Sequence, residues 1–176
     1  SFLDDCDDVI VSDDEVSGIV FIAGYVGYKM KSRLSCIDCR LELLTERVME
    51  CEFPYNDSFD YLAKIDRGRM TWPTDLMVDI VCQTVIVFKC LVSAKHCKNF
   101  ISVDKQRAVV ECLALQRCQQ VAVVYGKCSG CQQLMADLVL PCIRIVSNIV
   151  LNNYIKHLAD ERTQSKTLRK LSTLVK

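Results

Sequence analysis

A chain of 176 residues with 51% hydrophobic and 25% charged side chains can bury a core as one domain, and its formal net charge is zero. That balance excludes a disordered polyelectrolyte, and the longest uncharged run, the thirteen residues Val16 to Tyr28, is shorter than the roughly 18 a membrane span requires. The neutral total hides an acidic head and a basic tail: Asp4, Asp5, Asp7, Asp8, Asp13, Asp14 and Glu15 precede any cation, while residues 140–176 carry seven Lys or Arg against two acids.

Residues 1–14 read as an acidic, mobile lead-in, since no apolar period comes before Ser12 and Asp13. A helix is expected from Glu15, because Val16, Ile19, Val20, Ala23, Val26 and Met30 recur at helical spacing. Gly24 and Gly27 inside it each cost up to about 1 kcal/mol relative to alanine, which implies close approach by a neighbouring element. The knuckle Cys36-Ile37-Asp38-Cys39 follows, and Leu41, Leu43 and Leu44 read as the start of a second short helix. Residues 51–73 are turn-rich, with a short helix capped by Asp57 or Ser58. Proline is tolerated in a first turn, so Pro73 opens a long helix to about Ala94, with Leu76, Ile80, Val87 and Leu91 inward.

A further helix is expected from Ser102, Val103 and Asp104, carrying Val109, Cys112, Leu113 and Val121. The β-branched run Val121 to Tyr125 is the one candidate strand. Gln132 to Ala159 reads as another long helix, bent or restarted at Pro141. The fold class is therefore mostly α: an irregular helical domain over residues 15–160, followed by a basic C-terminal helix or tail at 161–176.

Twelve cysteines would suit a secreted disulfide scaffold in a much shorter chain. Here Cys82, Cys90, Cys112, Cys118 and Cys142 fall in apolar helical patterns and read as core positions, which points to a reducing compartment. The first residue, Ser1, and the lack of a basic-then-apolar leader fit a fragment of a longer protein without a targeting signal.

Cys36 and Cys39 have a counterpart in Cys128-Ser129-Gly130-Cys131. A two-residue spacer lets both sulfurs of a knuckle face one point about 2.3 Å away, so the two pairs can supply the four thiolates of a structural zinc site. Closing a loop of roughly ninety residues costs about 4 kcal/mol, whereas structural zinc supplies on the order of 10 to 16 kcal/mol, so the metal prevails. Against it stands the spacing, since four-cysteine ribbons usually separate their knuckles by about 15 to 20 residues. Buried cysteines without metal are the alternative. His96, Cys97 and His157 are weaker ligand candidates, better suited to helix ends or surface.

Lys156, Arg162, Lys166, Arg169 and Lys170 suit DNA phosphates or, equally, a solvated face, and on a helix Arg162, Lys166 and Arg169 or Lys170 fall at three-to-four spacing and make one stripe. Trp72, with Arg67 and Arg69 nearby, could stack on DNA, but a tryptophan before proline more often packs.

The string Phe21-Ile22-Ala23-Gly24-Tyr25-Val26-Gly27-Tyr28-Lys29-Met30, followed by Cys36-x-x-Cys39, resembles the C-terminal region of P-element-like and THAP-type DNA transposases. So do Asp66-Arg67-Gly68-Arg69-Met70-Thr71-Trp72-Pro73-Thr74 and the basic stretch from Arg144 to Lys176. In that family the later knuckle often ends in histidine, so Cys131 would replace an imidazole by a thiolate, and both bind zinc.

The resemblance implies a nuclear domain downstream of an RNase H-like core, whose carboxylates hold two magnesium ions. Glu15 as the third of those acids is weighed and set aside, so no catalytic residue is assigned and the fragment alone is expected to be silent. The implied partners are DNA, the upstream core and, as a further candidate, a second copy, with no membrane. A domesticated transposase-derived module that binds proteins or dimerises is the competing reading, and an independent nuclease is a third.

Overall fold

The computed structural model describes residues 1–34, 36–41, 43–45, 72–93, 103–125, 139–154 and 156. Their order is α1 (Phe2–Asp7), α2 (Asp13–Lys31), α3 (Ile37–Leu41), β1 (Leu44–Thr45), β2 (Trp72–Pro73), α4 (Asp75–Val92) and α5 (Val103–Tyr125), and then helical residues 139–154, here α6. The described chain is mostly helical, as expected.

The head of the chain departs from the expected mobile lead-in. Ser1 caps α1 in a reciprocal box with Asp4, and Cys6 is buried with 1% of its surface exposed. Two cations from the core hold the acidic segment. Arg117 of α5 donates to Asp7 Oδ1 (3.0 Å), to the Leu3 carbonyl (3.3 Å) and, through Nε, to Gln83 Oε1 of α4 (2.7 Å). Lys89 of α4 donates to the Ile10 carbonyl (2.7 Å) and to both carboxylate oxygens of Glu15 (2.7 and 2.8 Å). An apolar period shows neither link, since both are polar contacts between residues far apart in sequence.

Helix α2 starts where Ser12 and Glu15 form a capping box, with Asp13, Asp14 and Glu15 near its positive end and Lys29 and Lys31 in its last turn. Its inward stripe is Ile19, Val20, Ala23, Val26, Gly27 and Met30. A β-carbon on Gly27 would meet Leu44 Cδ2 at 2.7 Å and Cγ at 3.1 Å, so the close approach expected there is made by β1.

Helix α3 starts inside the first knuckle, with Cys36 just before it and Cys39 within it, instead of following the knuckle. Leu43 and Leu44 have left the helix, and Leu44 enters β1, which pairs antiparallel with β2 in the register Leu44 with Pro73 and Thr45 with Trp72. This two-strand ribbon was not expected. Pro73 lies in β2 rather than in a first turn, and Thr74, whose N–H donates to the Leu43 carbonyl (3.0 Å), is the N-cap of α4.

Helix α4 is the centre of the fold. Twelve of its eighteen residues are buried, including the expected Leu76, Ile80, Val87 and Leu91, and it packs against α1, α2, α5 and β2. The polar Thr84 is accommodated because its hydroxyl donates to the Ile80 carbonyl (2.9 Å).

Helix α5 begins at Val103 as expected but faces inward through Gln106, Val110, Ala114 and Cys118, leaving Val109 and Cys112 exposed. The expected core position Cys112 is thus corrected: the helix turns that side to solvent. Val121 to Tyr125 ends α5 as helix, so the candidate strand is overturned: helical continuity prevails over β-branched preference. From α6, Val139, Cys142, Ile143, Val146 and Leu151 join the same core, Tyr154 meets Phe88 edge-on at 5.5 Å, and Pro141 lies within the helix.

Candidate metal centre

The turn between α2 and β1 presents the first knuckle. The Cys36 carbonyl accepts from the Arg40 N–H (3.1 Å), so Cys36 occupies the cap position and Cys39 falls in the first turn of α3. Arg40 holds the turn from the other side, its Nε donating to the Leu34 carbonyl just beyond α2. Cys39 is buried, and the half-buried Cys36 packs against the same core. Immediately after the knuckle, Leu44 of β1 lies close against Gly27 of α2.

Two thiols three positions apart on a fixed turn suit half of a tetrahedral thiolate site. Cys128 and Cys131 lie outside the described residues, as do His96, Cys97 and His157. Among the described residues, no group of three or more His, Cys, Asp or Glu is arranged to hold a metal.

Three further thiols, Cys6, Cys118 and Cys142, are buried in the core. Burial pushes the Cys6 thiol up to about 12, with help from neighbouring Cys90, and burial likewise pushes Cys118 and Cys142 up to about 12. Thiols held protonated in this way act as small hydrophobes, not as ligands or nucleophiles. Cys82 and Cys90 are also buried, so four of the five expected core cysteines are in the core.

Among the basic residues, Lys156 is exposed at the end of α6, while Arg162, Lys166, Arg169 and Lys170 lie outside the described residues. Trp72 is 4% exposed and paired in β2, which gives it a packing role. Glu15 also has a structural role. The Lys89 ammonium holds its carboxyl below the usual glutamate range, and Ser12 adds a smaller pull. Reading along the sequence missed Lys89 and Arg117 as anchors, because nothing local marks a partner more than seventy positions away.

Helices packed around α4, with the Cys36 and Cys39 knuckle on the turn that leads from α2 to β1, define a small α-helical domain. The family model of the DNA transposase THAP9, C-terminal domain, matches residues 7–138, and the chain belongs to that family. The match includes both knuckles and the first two segments on which the resemblance rests, whereas Arg144 to Lys176 lies beyond it. Searches of curated proteins and of solved structures give no match. Among the described residues no helix is long and apolar enough to cross a membrane.

Proposed function

We propose that this chain is a zinc-stapled C-terminal domain of a THAP9-type DNA transposase, which acts in the nucleus in DNA transposition. It supports an RNase H-like core upstream and contacts transposon or target DNA. The observation that carries this reading is the family match over residues 7–138, with the Cys36 and Cys39 knuckle inside it on a hydrogen-bonded turn. Cys36 and Cys39 would hold zinc together with Cys128 and Cys131, and the bound ion would supply a cross-link between distant parts of the chain. The magnesium chemistry belongs to the upstream core, so this chain supplies scaffold and phosphate contacts but no reacting group.

Two measurements test the reading. Elemental analysis of the purified chain is expected to give one zinc per molecule, lost in Cys39→Ser and in Cys128→Ser. A zinc-free chain with an unchanged melting curve would remove the staple. Duplex DNA binding is expected to weaken steeply with salt and to fall when Lys166, Arg169 and Lys170 are changed to glutamine. Salt-independent behaviour, with partner proteins bound instead, would favour the domesticated interaction module.

A further inference from the structure

Opposite its core-facing stripe, α2 exposes three aromatic side chains. Phe21 is 58% exposed, Tyr25 45% and Tyr28 65%. Their spacing of four and then three residues puts them on one line about 10 Å long down the helix. At the C-terminal end of that line is a cleft lined by Tyr28, Lys29, Lys31, Ser32 and Arg40. Three of these residues are cations and none is an acid. Exposed Arg33 adds a fourth cation at the same end, and the Lys29 ammonium lies 5.6 Å from the centre of the Tyr25 ring.

Two lysines in a last turn complement the helix dipole and need no further reason. The dipole accounts neither for Arg40, which comes from α3, nor for three rings facing away from the core. Protein-binding patches concentrate their aromatics in a centre depleted of charge. Here cations stand among and beside the rings, so the complementary partner carries both flat apolar faces and closely spaced negative charge. Single-stranded DNA has both, because its unpaired bases expose faces to stack and its phosphates run alongside. A duplex offers only the phosphates, since its base faces are covered.

We propose that the outer face of α2 and the cleft at its end bind single-stranded DNA, with bases stacked on Phe21, Tyr25 and Tyr28 and phosphates held by Lys29, Lys31, Arg33 and Arg40. This surface is separate from the C-terminal basic stripe, and the inference takes from the proposed function only that the domain works on DNA.

The test is fluorescence anisotropy on the full 176-residue chain with a labelled oligothymidylate and with a duplex of equal length. Phe21→Ala and Tyr28→Ala are each expected to weaken oligothymidylate binding about tenfold while changing duplex binding less than twofold. Lys31→Gln with Arg33→Gln is expected to lower the salt slope for oligothymidylate by about 0.7 for each cation removed. These residues are exposed, so circular dichroism should show the parent's helix content throughout.

Aromatic variants that bind oligothymidylate as the parent does would overturn the proposal. So would loss of self-association in those variants with oligonucleotide binding intact, which would make the face a contact between copies. If duplex binding ignores Lys166, Arg169 and Lys170, the C-terminal stripe fails as a DNA contact while the oligothymidylate result stands by itself.

Discussion

Helices α2 and α4 are nearly equal in length, nineteen and eighteen residues, yet they divide their surfaces differently. α4 is buried around most of its circumference, so nearly every side chain it carries is committed to holding the fold. α2 buries one stripe against α4 and the β ribbon, and keeps a line of aromatics and a cationic end outside. A helix packed on all sides can only stabilise, whereas one packed on a single side has a face left for partners. The contrast predicts that substitutions in α4 act on stability and those on the outer face of α2 act on binding.

The largest effect should come from the centre. Ile80→Ala removes a fully buried side chain from α4 and is expected to destabilise by about 3 kcal/mol, read from urea unfolding with an unchanged slope. A loss below about 1 kcal/mol would mean that α4 is not the hub. Next is Gly27→Ala, on the inner face of α2. The helix gains about 1 kcal/mol in propensity, but the new methyl meets the buried Leu44, and overpacking of this kind costs about 1 to 3 kcal/mol. A net loss of about 1 kcal/mol is expected, and a gain would show that β1 yields freely.

Glu15→Gln probes the clamp between the two helices. The carboxyl is held below its usual range chiefly by Lys89, so its stabilising contribution is full above the ordinary glutamate range and is lost as pH falls through the depressed value. Both side chains are about a third exposed, which limits the effect to about 0.5 kcal/mol near neutral pH. Thermal unfolding of parent and variant should converge in acid, and a constant gap down to low pH would remove the ion pair as its cause. Smallest is Phe21→Ala, on the outer face, where stability should stay within about 0.5 kcal/mol of the parent's. A larger loss would show that the ring is packed and not presented.

The helices were legible where a helical period ran without interruption. α4, the start of α5 and the inner stripe of α2 follow directly from apolar spacing, and Gly27 announced a close contact before its partner was known. The head of the chain was not legible, because α1 is held by Arg117 and by burial of Cys6, and both depend on residues brought close only by folding. The ribbon was missed for a related reason: Leu44 and Trp72 pair across a wide gap in sequence, and neither strand is long enough to alternate. In α5 the core position of Cys118 was legible but the phase of the helix was not, since Cys112, which shares its apolar pattern, lies outside the face made by Val110, Ala114 and Cys118. At the candidate metal centre, spacing marked the first knuckle, but only the fold shows it clamped between the end of α2 and β1.

The pairing of Leu44 with Pro73 and of Thr45 with Trp72 has a consequence for chain length. Thr45 and Trp72 are held side by side although 26 residues separate them in sequence, so the two ends of that stretch are fixed in the fold. For a flexible connection between fixed ends, closure entropy grows only logarithmically, and doubling its length costs only about 0.6 kcal/mol. A flexible insertion between Thr45 and Trp72 that leaves the ribbon paired is therefore expected to cost little stability.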